Sequence, residues 1–310
     1  MAIESVEPEV VYHYTTMDTM LKIVQSKTIW ASSMAYLNDT SEGQYFIKQV
    51  RIRLPEFSKQ RGYGSEFITE MSNDANKETP FQLRPYVASF SREDDSLPQW
   101  RSYCEHGNGV AIGFSVDCLK RVYFAEDNEI REIAVGFRDV KYTEKQLPDE
   151  VLDQEIIDTI EAADAVIQIA KGAESSSSLA REKVFRVLIE AHASYRKHLS
   201  FSHEREFRIV VNPIFVHPTP PLDFRPVRTT LIPYMKLRIP ITRKDSEHLQ
   251  FEPPSVVSLL SGRKRFQFIE RVVIGPTPNM PLSLQAVHEY FNKMQMDVEV
   301  KPSDAPFREW

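Results

Sequence analysis

The chain lacks most of the short signatures that announce a chemistry. Its 310 residues include two cysteines, Cys104 and Cys118. Two such residues form neither a disulfide framework nor a metal-ligand pattern, and they read as free thiols in a reducing cytosol. There is no Walker sequence and no G-x-G-x-x-G, so the usual phosphate-cradling loops are missing, and Gly107-Asn108-Gly109 reads as a turn. No G-x-S-x-G nucleophile elbow occurs. No H-E-x-x-H occurs, and His192, His198 and His203 do not repeat at metal-ligand spacing, so no metal is expected. No apolar run reaches spanning length, and the acidic start MAIESVEPEV lacks a signal-peptide pattern. The expectation is a cytoplasmic protein without membrane contact. Positive charge is not in excess either. A formal net charge of -6 argues against a protein that coats nucleic acid, although a local basic groove stays open.

What is present is ordinary for a globular protein: 42% hydrophobic and 26% charged residues, enough to bury a sizeable core. Val11–Thr15 reads as a first strand, with Tyr12 and Tyr14 on one face and Val11, His13 and Thr15 on the other. A helix follows on Met17, Met20, Leu21 and Val24, with Thr16 as its cap. Lys27–Ser32 reads as a second strand, Tyr36–Asp39 as a turn and residues 43–55 as a helix, with a polar surface loop over 59–78. YVASFS at 86–91, GVAIGF at 109–114 and residues 132–142 read as strands, with a short helix over 96–103. The face of Ala111 and Gly113 is thin enough to admit a neighbour or ligand. Residues 149–171 form an amphipathic helix. GAESSSS at 172–178 is a break, and a second long helix carries Val184, Val187, Leu188, Ala191 and Tyr195. Residues 205–211 return to strand, the Pro-rich stretches at 213–226 and 253–254 are loops, 271–275 is a late strand and 281–294 a final helix. The whole, 1–310, is expected to be a single α+β domain with a helical insertion at 143–200.

Three stretches put polar side chains where a core strand is expected: YHYTT at 12–16, the run from ASFS at 88–91 to Trp100 and Tyr103, and HEREFR at 203–208. Buried polar groups need partners, and a ligand is one kind of partner. On a period of two, Glu204, Glu206 and Arg208 share a strand face opposite Phe207, Ile209 and Val211. They line a cleft, or they form a solvated face with an internal ion pair. His13 either is a satisfied structural histidine or donates to a ligand hydroxyl. Trp100 and Tyr103 either pack in the core or stack on a planar ring, with Arg101 and Arg208 available for phosphate. The basic run 263–265 reads as a solvated loop with a possible nucleic-acid contact.

Taken in order, YHYTT, LKIV, IWAS, LNDTSE, SFS, W-x-x-Y, GVAIGF, EREFR and VVIGP resemble the bacterial family called domain of unknown function 2971. More distantly, the first-strand histidine, the helix and second strand after it, and the late strand glutamate are similar to ADP-ribosyltransferases of the His-Tyr-Glu type. That resemblance implies a split β-sheet core with flanking helices and NAD as substrate. It implies that His13 holds the adenosine-side ribose, that Tyr103 (or Tyr36 or Tyr86) stacks on nicotinamide, and that Glu206 is the catalytic glutamate, with Glu204 orienting or activating an acceptor. Thr15, Ser89, Ser91, Trp100, Arg101 and Arg208 would complete the NAD site. The acceptor would be a protein or nucleic acid, and a toxin or phage-defence role follows by association alone. Two other readings use the same residues. One is a nucleotide or RNA binding module without turnover, holding phosphates on Arg101, Arg208 and Arg228. The other is a metal-dependent nuclease built on Glu204 and Glu206.

Overall fold

The computed structural model describes residues 9–37, 43–61, 84–104, 108–126, 129–131, 135–143, 147–171, 181–213, 222–227, 229–239 and 268–306. Of the expected loop over 59–78, residues 59–61 are instead the end of a helix and the rest lies outside the described residues, as do the serine-rich break and the basic run 263–265. The first half runs β1 (Val10–Thr15), α1 (Met17–Ser26), β2 (Thr28–Ser33), α2 (Gln44–Arg61), β3 (Tyr86–Ser91), α3 (Leu97–Tyr103), β4 (Val110–Ser115), α4 (Val116–Leu119), β5 (Phe124–Glu126), β6 (Glu129–Arg131), β7 (Val135–Asp139) and β8 (Lys141–Thr143). The second half runs α5 (Asp149–Lys171), α6 (Arg181–Ala193), β9 (Arg196–His198), a 3-10 turn (Leu199–Glu204), β10 (Glu206–Val211), β11 (Asp223–Val227), β12 (Thr230–Arg238), β13 (Ile269–Ile274), α7 (Met280–Lys293) and β14 (Glu299–Pro302). The chain is a mixed α+β protein around a mostly antiparallel sheet.

The sheet runs β11-β12-β2-β3-β1-β4-β13-β14, with β10 and then β7 branching from β3. One edge of β3 pairs along its whole length with β10, from Tyr86↔Val211 to Ser91↔Glu206. The other edge is divided. β2 takes its start, at Ser33↔Tyr86 and Ser32↔Val87, and β1 takes its end, at Tyr12↔Ser91. Between them the sheet forks, and at the fork the His13 Nδ1 lies 3.1 Å from the carbonyl oxygen of Ser89. An imidazole N–H thus stands in for the missing strand partner, as a mid-sheet carbonyl requires.

Hydrophobic alternation sets the two faces. Val11, Phe90, Ile112, Phe114, Phe207, Ile209, Met235 and Val272 belong to one core, covered by Met20, Ile23 and Val24 of α1 and by Val287 and Phe291 of α7. Helix α1 starts as expected, with Thr16 Oγ1 accepting from Thr19 N at 3.2 Å, a cap worth about 1 kcal/mol. The opposite face meets α3 beside Tyr12 and Tyr14, and the tail of α6 through Tyr195 against Val87 and Val210. Helices α2, α5 and α6 enclose a second core of Phe46, Leu54, Phe57, Leu152, Ile156, Ile160, Val184 and Leu188.

Several expectations need correction. Residues 132–142 are not one strand: β7 ends at Asp139 and β8 begins at Lys141. Tyr195 lies past the end of α6, packed on the sheet and not on a helical stripe. Residues 223–226 are strand, since an edge strand tolerates Pro226. The thin face of β4 admits a neighbour and not a ligand, because a Cβ on Gly113 would sit 2.9 Å from the Tyr12 ring. Cys104 and Cys118 form no disulfide, as expected, and both are buried.

Candidate functional site: a buried charge quartet beside the fork

HEREFR does not continue as a strand through Glu204. The 3-10 turn ends there, and Arg205 turns the chain in the left-handed region at φ 41. Glu204 therefore reaches its neighbours from a turn and Glu206 from β10, which corrects the shared strand face. Both are buried nonetheless. Ser91 Oγ donates to the Glu204 carbonyl at 2.8 Å, and Gln99 Nε2 of α3 donates to the same oxygen at 3.3 Å. These bonds pin the turn over the start of β10.

Beneath the turn, four charges meet. The Arg208 guanidinium grips Glu206 in a two-point fork, Nε to Oε1 at 2.7 Å and Nη2 to Oε2 at 2.8 Å, and its Nη1 donates to the Ser194 carbonyl at 2.5 Å. Lys197 Nζ lies 2.7 Å from Glu204 Oε2 and 3.4 Å from Glu206 Oε2, and 4.7 Å from the Phe201 ring centroid. The quartet is electroneutral, and Arg208 is 1% exposed. Burial pushes the Glu206 pKa up, but Arg208, Lys197 and a hydrogen bond from the Ser89 hydroxyl more than cancel it. The net shift is downward, so Glu206 is a carboxylate at neutral pH. The Glu206 amide donates to Tyr142 Oη at 2.7 Å, and burial pushes that phenol up to about 12.

His13 stands on the other side of β3. Its register partner is Ile112, and its ring lies 5.8 Å from Phe90, both on the main-core face. Glu206 and Arg208 pair with Ser91 and Ser89 on the opposite face. The imidazole and the carboxylate thus meet at one residue: Ser89 offers its carbonyl to His13 and its hydroxyl to Glu206. Both His13 and Ser89 are partly accessible although they lie mid-strand. Burial lowers the His13 pKa, so the ring is neutral at pH 7.

The structure gathers Ser89, Ser91, Glu204, Glu206 and Arg208 on one face, with His13 across the fork. It does not gather the rest. Tyr103 is 42% exposed and Arg101 is exposed, both at the end of α3. Trp100 is fully buried, edge-on to Tyr14 at 4.6 Å, with its Nε1 donating to Asp95 at 2.7 Å. It is core packing and presents no face to a ring. Thr15 is buried on the main-core side opposite Val110. The sequence reading missed Lys197, Gln99 and Tyr142, which come from three separate elements. Among the described residues no group of three or more His, Cys, Asp or Glu side chains could hold a metal, and the two glutamates have Lys197 and Arg208 beside them. None of the described helices is long and apolar enough to cross a membrane.

No curated protein and no solved structure matches the chain significantly. A family model described as a protein of unknown function (DUF2971) matches residues 99–209. That segment runs from α3 into β10 and contains all four charges of the quartet, but not β1 or β3. Over it, this chain is similar to that family of unknown function.

Proposed function

We propose that the fork between β1, β2 and β3 is a site for breaking the nicotinamide–ribose bond of NAD, by ADP-ribosyl transfer or hydrolysis, with Glu206 as the catalytic carboxylate. The observation that carries this reading is a glutamate held ionised beside Ser89, at the point where the sheet divides. Such a reaction builds positive charge on the ribose, and a preorganised carboxylate in a dry setting stabilises that charge best. Lys197 and Arg208 position the carboxylate and keep it charged. Glu204 is locked to Lys197, so in this closed arrangement it holds the turn and does not activate an acceptor. A substrate reaches Glu206 only when residues 199–204 lift, and Arg205 is the natural hinge, since an arginine held in the left-handed region stores about 1 kcal/mol or more. His13 would serve from across β3, by holding the Ser89 carbonyl.

The non-catalytic reading, a nucleotide-binding module on the same scaffold, is favoured by a different observation: every charge of the quartet already has an internal partner. Incubation of the wild-type chain with NAD labelled in the nicotinamide ring, alone and with total cell extract, separates the two. Release of nicotinamide that falls on the order of a hundredfold in a folded Glu206→Gln variant supports the transferase. NAD left intact in both incubations refutes it and leaves the binding module.

A further inference from the structure

The short ribbon of β8 and β9 has two polar faces. The strands run parallel, with Lys141 beside Arg196 and Tyr142 beside Lys197. Alternation sends these two pairs to opposite sides of the ribbon. Tyr142 and Lys197 turn to the quartet. There the phenol oxygen accepts from the Glu206 amide at 2.7 Å, and the ammonium lies 2.7 Å from Glu204 and 3.4 Å from Glu206. Lys141 and Arg196 turn the other way, to α5, and both meet Glu155. Arg196 Nη2 donates to Glu155 Oε1, and Lys141 Nζ lies 3.6 Å from the same oxygen.

Glu155 joins the ribbon to all three helices of the second core. It stands on α5 itself. His192 of α6 places Nδ1 3.4 Å from its Oε2. The guanidinium of Arg196 lies 4.4 Å from the ring centroid of Phe46 on α2. Arg196 is buried, so loss of the Glu155 charge strands a cation away from water and draws β9 from its seat. The same strand fastens the turn over Glu206 at both ends. His198 closes β9, and its Nδ1 accepts from Ser200 N at 3.2 Å, which caps the start of the turn. Glu204, at the end of the turn, comes back to Lys197.

We infer that Glu155 is a positioning residue for the Glu206 site, and that helices α2, α5 and α6 control, through it, whether the turn over Glu206 is closed. Coupling between separate places needs an element with two arrangements. The turn over 199–204 is that element: closed while Lys197 and Ser91 hold Glu204, open when those bonds part. The ribbon transmits because one strand residue, Arg196, faces the helices and the next, Lys197, faces the carboxylates. The consequence for turnover rests on Glu206 being the catalytic carboxylate; the tie between Glu155 and the turn does not.

Hydrogen exchange of the full chain, read by mass spectrometry, tests it. Glu155→Gln is expected to speed exchange over residues 199–206 by about tenfold or more, and to raise the Glu206 pKa, followed by carbon NMR, as Lys197 withdraws. Glu155→Asp should fall between that variant and the wild type. Arg196→Met cuts the same joint from the ribbon side and should reproduce both effects. Arg53→Met is the control: it breaks the ion pairs from α2 to Asp149 and Asp153 on α5 and leaves the Glu155 joint in place. It is expected to destabilise the chain in urea while residues 199–206 and the Glu206 pKa stay near wild type. Wild-type exchange over 199–206 in folded Glu155→Gln or Arg196→Met overturns the inference. So does an Arg53→Met variant that speeds those residues equally, because the helices then act by general loosening. Nicotinamide release from NAD is measured on the same proteins. Release absent from the wild type, with the exchange pattern as expected, refutes the catalytic reading alone and leaves Glu155 as the residue that holds the turn closed.

Discussion

Replacing Arg208 by methionine should expose how much the quartet is under electrostatic constraint. The guanidinium makes two bonds to Glu206 and one to the Ser194 carbonyl, all out of contact with water. Methionine fills similar volume but leaves Glu206 with only Lys197 at 3.4 Å and the Ser89 hydroxyl. Removing one partner of a buried pair costs about 3 to 5 kcal/mol, most of it the cost of the stranded charge. In urea that is a midpoint shift on the order of 1 to 2 M. The pH dependence gives the sharper test. In the wild type the Glu206 pKa lies below its unfolded value, so its contribution is present above about pH 4.3 and is lost as pH falls through the folded pKa. Without Arg208 the burial contribution dominates and the folded pKa rises above the unfolded one. The variant should therefore be weakest at pH 7 to 8 and regain stability as Glu206 protonates towards pH 5. Glu206→Leu combined with Arg208→Met should recover most of the loss, because neither charge is left alone. Urea denaturation of the three proteins at pH 5 and pH 8 measures all of this. A loss below about 1 kcal/mol at pH 8, or a variant that weakens further on acidification, refutes the reasoning.

Other sites give equally direct tests. A Cβ added at Gly136 would sit 2.2 Å from Tyr195 Oη, so Gly136→Ala should cost about 1 to 3 kcal/mol in thermal melts, and Tyr195→Phe, which removes that hydroxyl, should restore part of it. Glu155 is held down to about 2 by the His192 hydrogen bond, against burial, with Arg196 and Lys141 adding to it. Its contribution is full above about pH 4.5 and fades as pH falls towards 2, so Glu155→Gln should flatten the acid limb of the stability curve and cost about 2 to 3 kcal/mol at pH 7. Asp95 accepts from Trp100 Nε1, Ser303 Oγ and the Asp304 amide. Asp95→Ala should cost about 2 to 3 kcal/mol and speed proteolysis of the C-terminal segment, which urea titration and timed digestion would record.

The parts of the fold that were legible in the sequence were those fixed by local periodicity. Helix α5 has the expected bounds, because Leu152, Ile156, Ile160 and Ala163 repeat on one stripe and face a core. The alternation of Val11 and His13 against Tyr12 and Tyr14 is likewise a property of β1 alone, and it appears as two different cores on two faces. Strand β11 was hidden because Pro226 argues for a loop, an argument that fails at a sheet edge, which a local reading does not locate. At the candidate site the same limit applies. Period-two counting put Glu204 and Glu206 on one strand face; the left-handed Arg205 breaks that register, and it is Lys197, from β9, that brings the two carboxylates together again. Nothing in the sequence around Arg196-Lys197-His198 distinguishes that lysine from a solvated one.

The divided edge of β3 follows from what Ser89 must satisfy. Its Cα partner in the β3–β10 ladder is Arg208, so that edge is committed along the whole strand. On the other edge a continuous partner strand would take the Ser89 carbonyl into a ladder bond and close the sheet over it. His13 supplies that bond from a side chain instead, which lets β1 leave β3 after Tyr12 and β2 join it at Ser32. The same serine gives its hydroxyl to Glu206. Loss of the imidazole should therefore act at a distance: with the carbonyl unsatisfied, the serine is no longer held, and the carboxylate loses one of the groups that keep it ionised. His13→Ala would be read in the ionisation of Glu206, followed by carbon NMR, as a rise in its pKa, whereas His13→Asn, which can still donate to the carbonyl, would leave it near the wild-type position. An unshifted Glu206 in folded His13→Ala would break the link through Ser89.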